Sequence, residues 1–186
     1  MQTKIKLSKF TKLCLILMLM GIAHQLHSQE NEKRIDELIN EGNFEEAIQI
    51  GKNLLIEQPE NASLHFKIGY CYMNTSLEKA KSIPFLFKST EIYRQKKDQS
   101  AMSLEAMFYL GKAYHKNYEL KKALEVFQLM HQQVSNKEML TAINEEIDQC
   151  KTGIELKKNP VKMEIKNLGT RINSPYSDHS PVLSAD

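Results

Sequence analysis

Asp178, His179 and Ser180 stand consecutively near the end of the sequence, and an acid, an imidazole and a hydroxyl are the parts of a nucleophilic triad. Consecutive residues of an extended chain point to opposite faces, so these three cannot converge on one reacting atom and are better read as turn residues. His65, His115 and His131 fall in helical pattern with no second ligand at a metal-binding interval, and no zinc-type His or Cys pair occurs. No glycine-rich phosphate loop is present. The acid pairs Glu45-Glu46 and Glu145-Glu146 and the pairs Lys96-Lys97, Lys121-Lys122 and Lys157-Lys158 are expected on solvated helix faces. The sequence therefore offers no catalytic constellation, no metal site and no cofactor site, and reads as a non-enzyme.

Binding chemistry is better represented. Phe66, Tyr70, Met73 and Asn74 lie at helical spacing in one stretch, and Phe108, Lys112, His115 and Lys116 in another. Aromatic rings beside amide and cationic groups can grip an extended peptide or a partner helix by apolar burial plus orienting hydrogen bonds. In the competing reading Phe66 and Phe108 are core residues, because large apolar side chains are usually buried.

What must position these residues is a helix-turn-helix pattern written three times. Its clearest copy is Leu110-Gly111, Tyr114, Tyr118, Leu120, Ala123, Phe127 and Met130, in which the small residues mark where two antiparallel helices approach and the large ones fill the space around them. This is tetratricopeptide-repeat spacing. Ile68-Gly69 and Tyr72 repeat the first-helix half, and Gly42, Phe44, Ala47, Leu54 and Pro59 the second. Gly69 and Gly111 are further apart than the ~34 residues of a standard repeat, so an enlarged link is expected around Arg94 to Ser100. A slip near Ser82 puts Ser82 and Ser89 in the small-residue slots.

The fold expected is all-α, a tetratricopeptide-repeat solenoid of three helix pairs plus a capping helix, followed by an irregular, β-prone tail. The first pair runs over 30–40 and 44–57 with a turn at Gly42, and Ile35, Leu38 and Ile39 form the only apolar stripe of its first helix. The second pair covers 62–74 and 77–96, the third 100–116 and 119–133. Asn136 then caps a helix from Lys137 to about Leu156, with Leu140, Ile143, Ile147 and Cys150 on one face and Glu145, Glu146, Asp148 and Lys151 on the other, as a terminal cap requires. In such stacks the first helix of each pair lines a concave groove, and repeat register puts the eight binding candidates there. Glu32 and Asp36 stand where a chaperone-tail clamp would need Lys and Asn, so that type of ligand site is not expected.

Residues 1–28 carry Lys4, Lys6, Lys9 and Lys12 and no acid, then an apolar run from Leu13 to Ala23 that is short for a membrane anchor. They read as a secretory signal peptide cut after Ser28, leaving 29–156 as the repeat domain. Cys14 lies at the wrong end of the apolar run for lipid attachment. Removing the leader takes away four positive charges and turns the formal net charge from +2 to −2. A near-neutral surface without a basic stripe interleaved with aromatics excludes a nucleic-acid partner, and no later segment of the mature chain is apolar enough to span a membrane. Cys71 and Cys150 then remain, Cys71 as a packed thiol in a small-residue slot. Asn61-Ala62-Ser63 and Asn74-Thr75-Ser76 match glycosylation triplets, which carry weight only in a eukaryotic secreted protein.

Asn159-Pro160 ends the last helix, and Val161-Lys162-Met163-Glu164-Ile165 alternates as a half-buried strand does. The stretch that follows holds Asn167-Leu168-Gly169, Ile172-Asn173-Ser174, Tyr176, Asp178, Ser180-Pro181-Val182 and Ser184-Ala185-Asp186. It resembles the entry into a WD-type β-propeller in exported Bacteroidetes proteins that join tetratricopeptide repeats, a propeller and an OmpA-like domain. The resemblance implies that 157–186 is a linker and the incomplete start of a first blade. It further implies a periplasmic scaffold associated with the outer membrane, holding a protein or peptide in its groove and reaching peptidoglycan only through a domain absent from this chain. Relatives of that kind assist envelope assembly such as type IX secretion. The alternatives are an accessory module of a propeller-containing exported hydrolase or sugar-handling protein, and a self-contained secreted peptide binder.

Overall fold

The computed structural model of the protein describes residues 9–75, 79–158 and 160–161. In chain order these form α1 (Lys9–Glu41), α2 (Phe44–Glu57), α3 (Ala62–Asn74), a 3-10 turn (Lys79–Lys81), α4 (Ser82–Gln95), α5 (Ala101–Lys116), α6 (Leu120–His131) and α7 (Lys137–Lys158). Among the described residues there is no strand. Each helix packs on the next, and the odd-numbered helices α1, α3, α5 and α7 also touch one another in succession, whereas α2, α4 and α6 do not. One layer is thus closer-spaced than the other, and the stack bends toward the odd-numbered layer. The chain is an all-α helical-repeat solenoid of three hairpins and a capping helix, as the spacing predicts.

Small residues set the hairpin geometry. A Cβ on Gly69 would lie 2.6 Å from Leu86 Cγ, and one on Gly111 would lie 2.6 Å from Phe127 Cζ. Both glycines let a large side chain of the paired helix seat directly on the backbone. Ala123, Ser82 and Ser89 are wholly buried at the matching positions. Burying the two serines is tolerable because each hydroxyl donates to a backbone carbonyl, Ser89 to Ala62 at 2.8 Å and Ser82 to Lys79. Around these contacts one apolar cluster, with Ile35, Leu38, Leu54, Leu64 and Ile68, fills the first hairpin and its contact with α3. A second cluster, including Leu86, Phe127, Met130, Ile143 and Cys150, runs on to α7.

Helix ends follow local chemistry. Asn61, Ser100 and Asn136 cap α3, α5 and α7 by accepting from the N–H groups of Leu64, Ser103 and Met139. Three helices stop through one left-handed residue each: Gly42 (φ 76°), Lys97 (φ 54°) and Tyr118 (φ 60°). In every case its N–H and the next one bond back to the preceding turn, as Lys97 does to Arg94 and Asp98 to Tyr93. Only the first of the three is the glycine that this conformation prefers.

Three expectations are corrected. The first helix does not begin at Glu30 but runs unbroken from Lys9, because nothing in the apolar run and the Gln- and Glu-rich segment after it interrupts helical bonding. The second helix of the middle pair begins at Ser82 rather than Leu77, after the 3-10 turn, which puts Pro84 within the first turn, where its missing N–H costs little. The enlarged link is therefore shared between the 3-10 turn before α4 and the corner at Lys97, while α4 ends at Gln95, within a residue of the expected bound. The β-prone segment from Lys162 onward, the partial blade and Asp178-His179-Ser180 lie outside the described residues.

Both thiols are sealed, Cys71 in the first cluster and Cys150 in the second, and they are not bonded to each other. Burial, with Glu45 adding to it, pushes the Cys71 thiol up to about 12, and burial followed by Glu146 raises Cys150. Neither should react with a thiol reagent in the native state, and both should react in urea. The protonated thiol is the folded form, so its stabilising contribution is complete below the ordinary thiol value of about 8.5 and is lost as pH rises from there toward 12. Melting temperatures measured across that range should fall.

Gly69→Ala should cost about 1–2 kcal/mol, the overpacking against Leu86 exceeding the gain in helix propensity. Lys97→Gly should instead stabilise by roughly 0.5–1 kcal/mol by relieving a left-handed side-chain-bearing residue. Urea midpoints at unchanged m value measure both.

Candidate functional site

The odd-numbered layer presents two adjoining patches. The first is aromatic. Phe66 and Tyr70 of α3 meet Tyr109 of α5 with ring centroids 5.8 and 5.1 Å apart, both edge-to-face, and Phe44 of α2 approaches Tyr70 at 6.4 Å. Phe108 stands against Tyr109 at 6.2 Å and against Phe127 beneath it at 5.8 Å. Tyr70, Phe108 and Tyr109 are part-buried, each keeping some surface in solvent. The Tyr109 hydroxyl is held above its ordinary value by burial first and by the neighbouring Tyr70 second. Edge-to-face packing of this kind fixes ring orientation as well as burying area.

The second patch is a cleft of about 650 Å³ between α5 and α7. Along α5, Lys112, His115 and Lys116 recur at intervals of three and four and so share one face. Along α7, Glu146, Gln149, Gly153 and Leu156 do the same from the opposite wall, with Lys157 beside them and Tyr118 and Leu120 closing one end. His115 Nδ1 and Glu146 Oε2 are 2.8 Å apart and tie the two walls together, their side chains 25% and 15% exposed. Lys112 Nζ lies 5.5 Å over the Phe108 ring, so the cationic cleft begins where the aromatic patch ends. Lys157 Nζ donates to the Tyr118 carbonyl at 2.9 Å. Lys116 is held below its ordinary value by burial and by the like charges of Lys112 and Lys79, with Glu146 opposing them.

The eight residues expected in the groove do not stay together. Lys112, His115 and Lys116 come together in the cleft, and Tyr70 and Phe108 form part of the aromatic patch. Phe66 and Met73 are corrected to core positions, 7% and 4% exposed, because the α3–α5 contact closes over them. Asn74 is exposed, but its amide donates to the Tyr70 carbonyl at 2.8 Å and so folds back on its own helix. Glu146 is corrected as well: expected on the solvated side of the cap, it faces inward onto His115. Tyr109 and the α7 wall were not expected at all. Tyr109 stands three and seven residues before Lys112 and Lys116 and so falls on their face of α5, a signal present in the sequence, whereas the α7 wall depends on how the cap sits on α5 and has no local signature.

The remaining polar residues serve structure. Asp36, at a position where a chaperone-tail clamp would carry Asn, pairs with Lys67 at 2.6 Å and joins α1 to α3. His65 lies against the Pro59 carbonyl and the Phe85 ring. Among the described residues no three His, Cys, Asp or Glu side chains could hold a metal ion, and no helix is long and apolar enough to cross a membrane.

No protein-family model matches the sequence, and no curated protein matches it. Among solved structures, that of the MamA protein is similar, with 17% identity over 74% of this chain and 98% of that one and a TM-score of 0.32. At that TM-score the likeness carries no argument, and the helical-repeat assignment rests on the chain's own helix packing.

Proposed function

We propose that this chain is a non-catalytic scaffold that holds other proteins on its odd-numbered helical layer. The observation that carries the reading is the aromatic patch of Tyr70, Phe108 and Tyr109, part-exposed on a surface built from successive repeats and continuous with a cationic cleft. Rigid aromatic rings with one face in solvent supply contact area at little cost in side-chain entropy, which is the usual character of a binding hot spot. Nothing in the chemistry of the patch calls for turnover: its polar groups are tyrosine hydroxyls, lysines and a histidine already paired with Glu146.

The setting is part of the same proposal. The basic, acid-free start followed by an apolar run is the pattern of an export leader, and the segment from Asn167 to Asp186 resembles the blade entry of envelope proteins with propeller and OmpA-like parts. On that reading the leader spans 1–28, the repeat domain 29–156 and the linker and blade start 157–186. The protein then acts in the periplasm beside the outer membrane, in envelope or type IX secretion assembly.

Two measurements test these statements. Affinity capture from intact envelopes with the wild-type chain should enrich a partner protein, and Tyr70→Ala/Tyr109→Ala should weaken that capture about tenfold or more with the helical content kept. Equal capture by both chains would remove the groove from the account. N-terminal sequencing of the protein from a periplasmic fraction should read from Gln29, and recovery of uncut chain from the cytosol alone overturns the export assignment.

A further inference from the structure

We propose that the cleft between α5 and α7 binds acidic side chains of a partner's extended segment, which displace Glu146 from His115 and pair with Lys112 and Lys116. The inference rests on the scaffold reading above and specifies the chemistry of the partner.

The charge balance of the cleft is the first observation. Lys112, Lys116, Lys157 and His115 line it against a single carboxylate, that of Glu146. Among the described residues neither Lys112 nor Lys116 has a carboxylate within ion-pair distance: Lys112 rests over a ring, and Lys79 adds a further positive charge at Lys116. Acidic residues elsewhere on the surface do find cations, as Glu60 does with Lys88, Glu91 with Arg94 and Glu119 with Lys122. Among the described residues the cleft therefore gathers more positive charge than its one carboxylate neutralises, on a chain whose expected mature charge is negative.

Glu146 is the second observation. It is the one carboxylate the cleft holds, it comes from the opposite wall, and it reaches His115 at 2.8 Å. A carboxylate thus already fits among these groups, and one arriving from outside competes with Glu146 for His115 while gaining two lysines that Glu146 leaves unpaired.

Shape agrees with a peptide. The 68%-exposed Leu156 flanks the cationic groups and can cover an aliphatic neighbour of the acid. From Phe108 to Lys116 along α5 is about 12 Å at 1.5 Å per residue, the reach of about four residues of extended chain. An extended segment turns every second side chain toward α5, so apolar residues near one end can rest on Tyr109 and Phe108 while acidic residues further along the same face meet Lys112 and Lys116.

The test uses the full chain and two labelled decapeptides, one of five Leu followed by five Glu, the other of five Leu followed by five Gln, with fluorescence anisotropy as the readout. The Glu peptide should bind about tenfold more tightly than the Gln peptide at low salt, with the preference shrinking as salt rises. Lys112→Gln/Lys116→Gln should erase the preference, and Glu146→Gln should strengthen Glu-peptide binding several-fold. Circular dichroism checks that each variant keeps its helices, and Lys116→Gln alone, which should halve the preference or more, serves if the double variant does not. Equal binding of the two peptides, a preference that survives loss of both lysines, weaker Glu-peptide binding by Glu146→Gln, or binding of a dT decanucleotide in place of the Glu peptide each overturns the proposal. Two equally bound peptides that are both lost in Tyr70→Ala leave the scaffold reading intact while removing this one; envelope capture that fails removes the scaffold reading by itself.

Discussion

The closeness of paired helices governs this molecule. Where Leu86 seats on Gly69 and Phe127 on Gly111, the partner's side chain occupies the space of an absent Cβ, so the hairpin can adopt one spacing and one rotation. Those contacts determine which sides of α3 and α5 are left over for the odd-numbered layer. The aromatic patch and the cationic cleft are consequences of that choice, because Tyr70 and Tyr109 turn to each other across α3 and α5, away from the hairpin partners, only while the small residues point toward those partners. A repeat protein propagates such a local rule from unit to unit, each unit contacting only its neighbours.

Where that rule is written in side chains, the sequence was readable. Gly111, Ala123 and Phe127 announced the third hairpin, Ser82 and Ser89 identified themselves as the small residues of the second, and Ile35, Leu38 and Ile39 were enough to orient the first. The bounds of α2 and α3 and the Asn136 cap followed from turn and capping chemistry. The places of the corners at Lys97 and Tyr118 were readable as the links at 94–100 and 117–118, but their left-handed backbone was not, because neither residue prefers that conformation. It is imposed at both by bonds from the following N–H groups to the preceding turn.

The binding surface was legible only in part, for a different reason. Helical spacing tells which residues of α5 share a face, so Lys112, His115 and Lys116 could be grouped from sequence alone. How deep that face lies depends on the neighbouring helix, and the α3–α5 contact proved close enough to enclose Phe66 and Met73 while sparing Tyr70. Glu146 shows the same limit from the other side: charge favours solvent at a lone surface position, but an imidazole at 2.8 Å across the cleft makes an inward carboxylate acceptable.

One detail of the first helix bears on the order of events in the life of the chain. Ser28, the residue preceding the expected cleavage point, is 7% exposed within an unbroken helix, and the Gln58 side-chain amide donates to its hydroxyl. Proteases act on backbone that is accessible and free of such structure. Once α1 and α2 have closed on each other, the bond after Ser28 is shielded, so on the proposed export reading cleavage there and folding of the first hairpin are rival processes. That reading requires cleavage to precede folding, the alternative being that 9–28 stay as extra turns of α1.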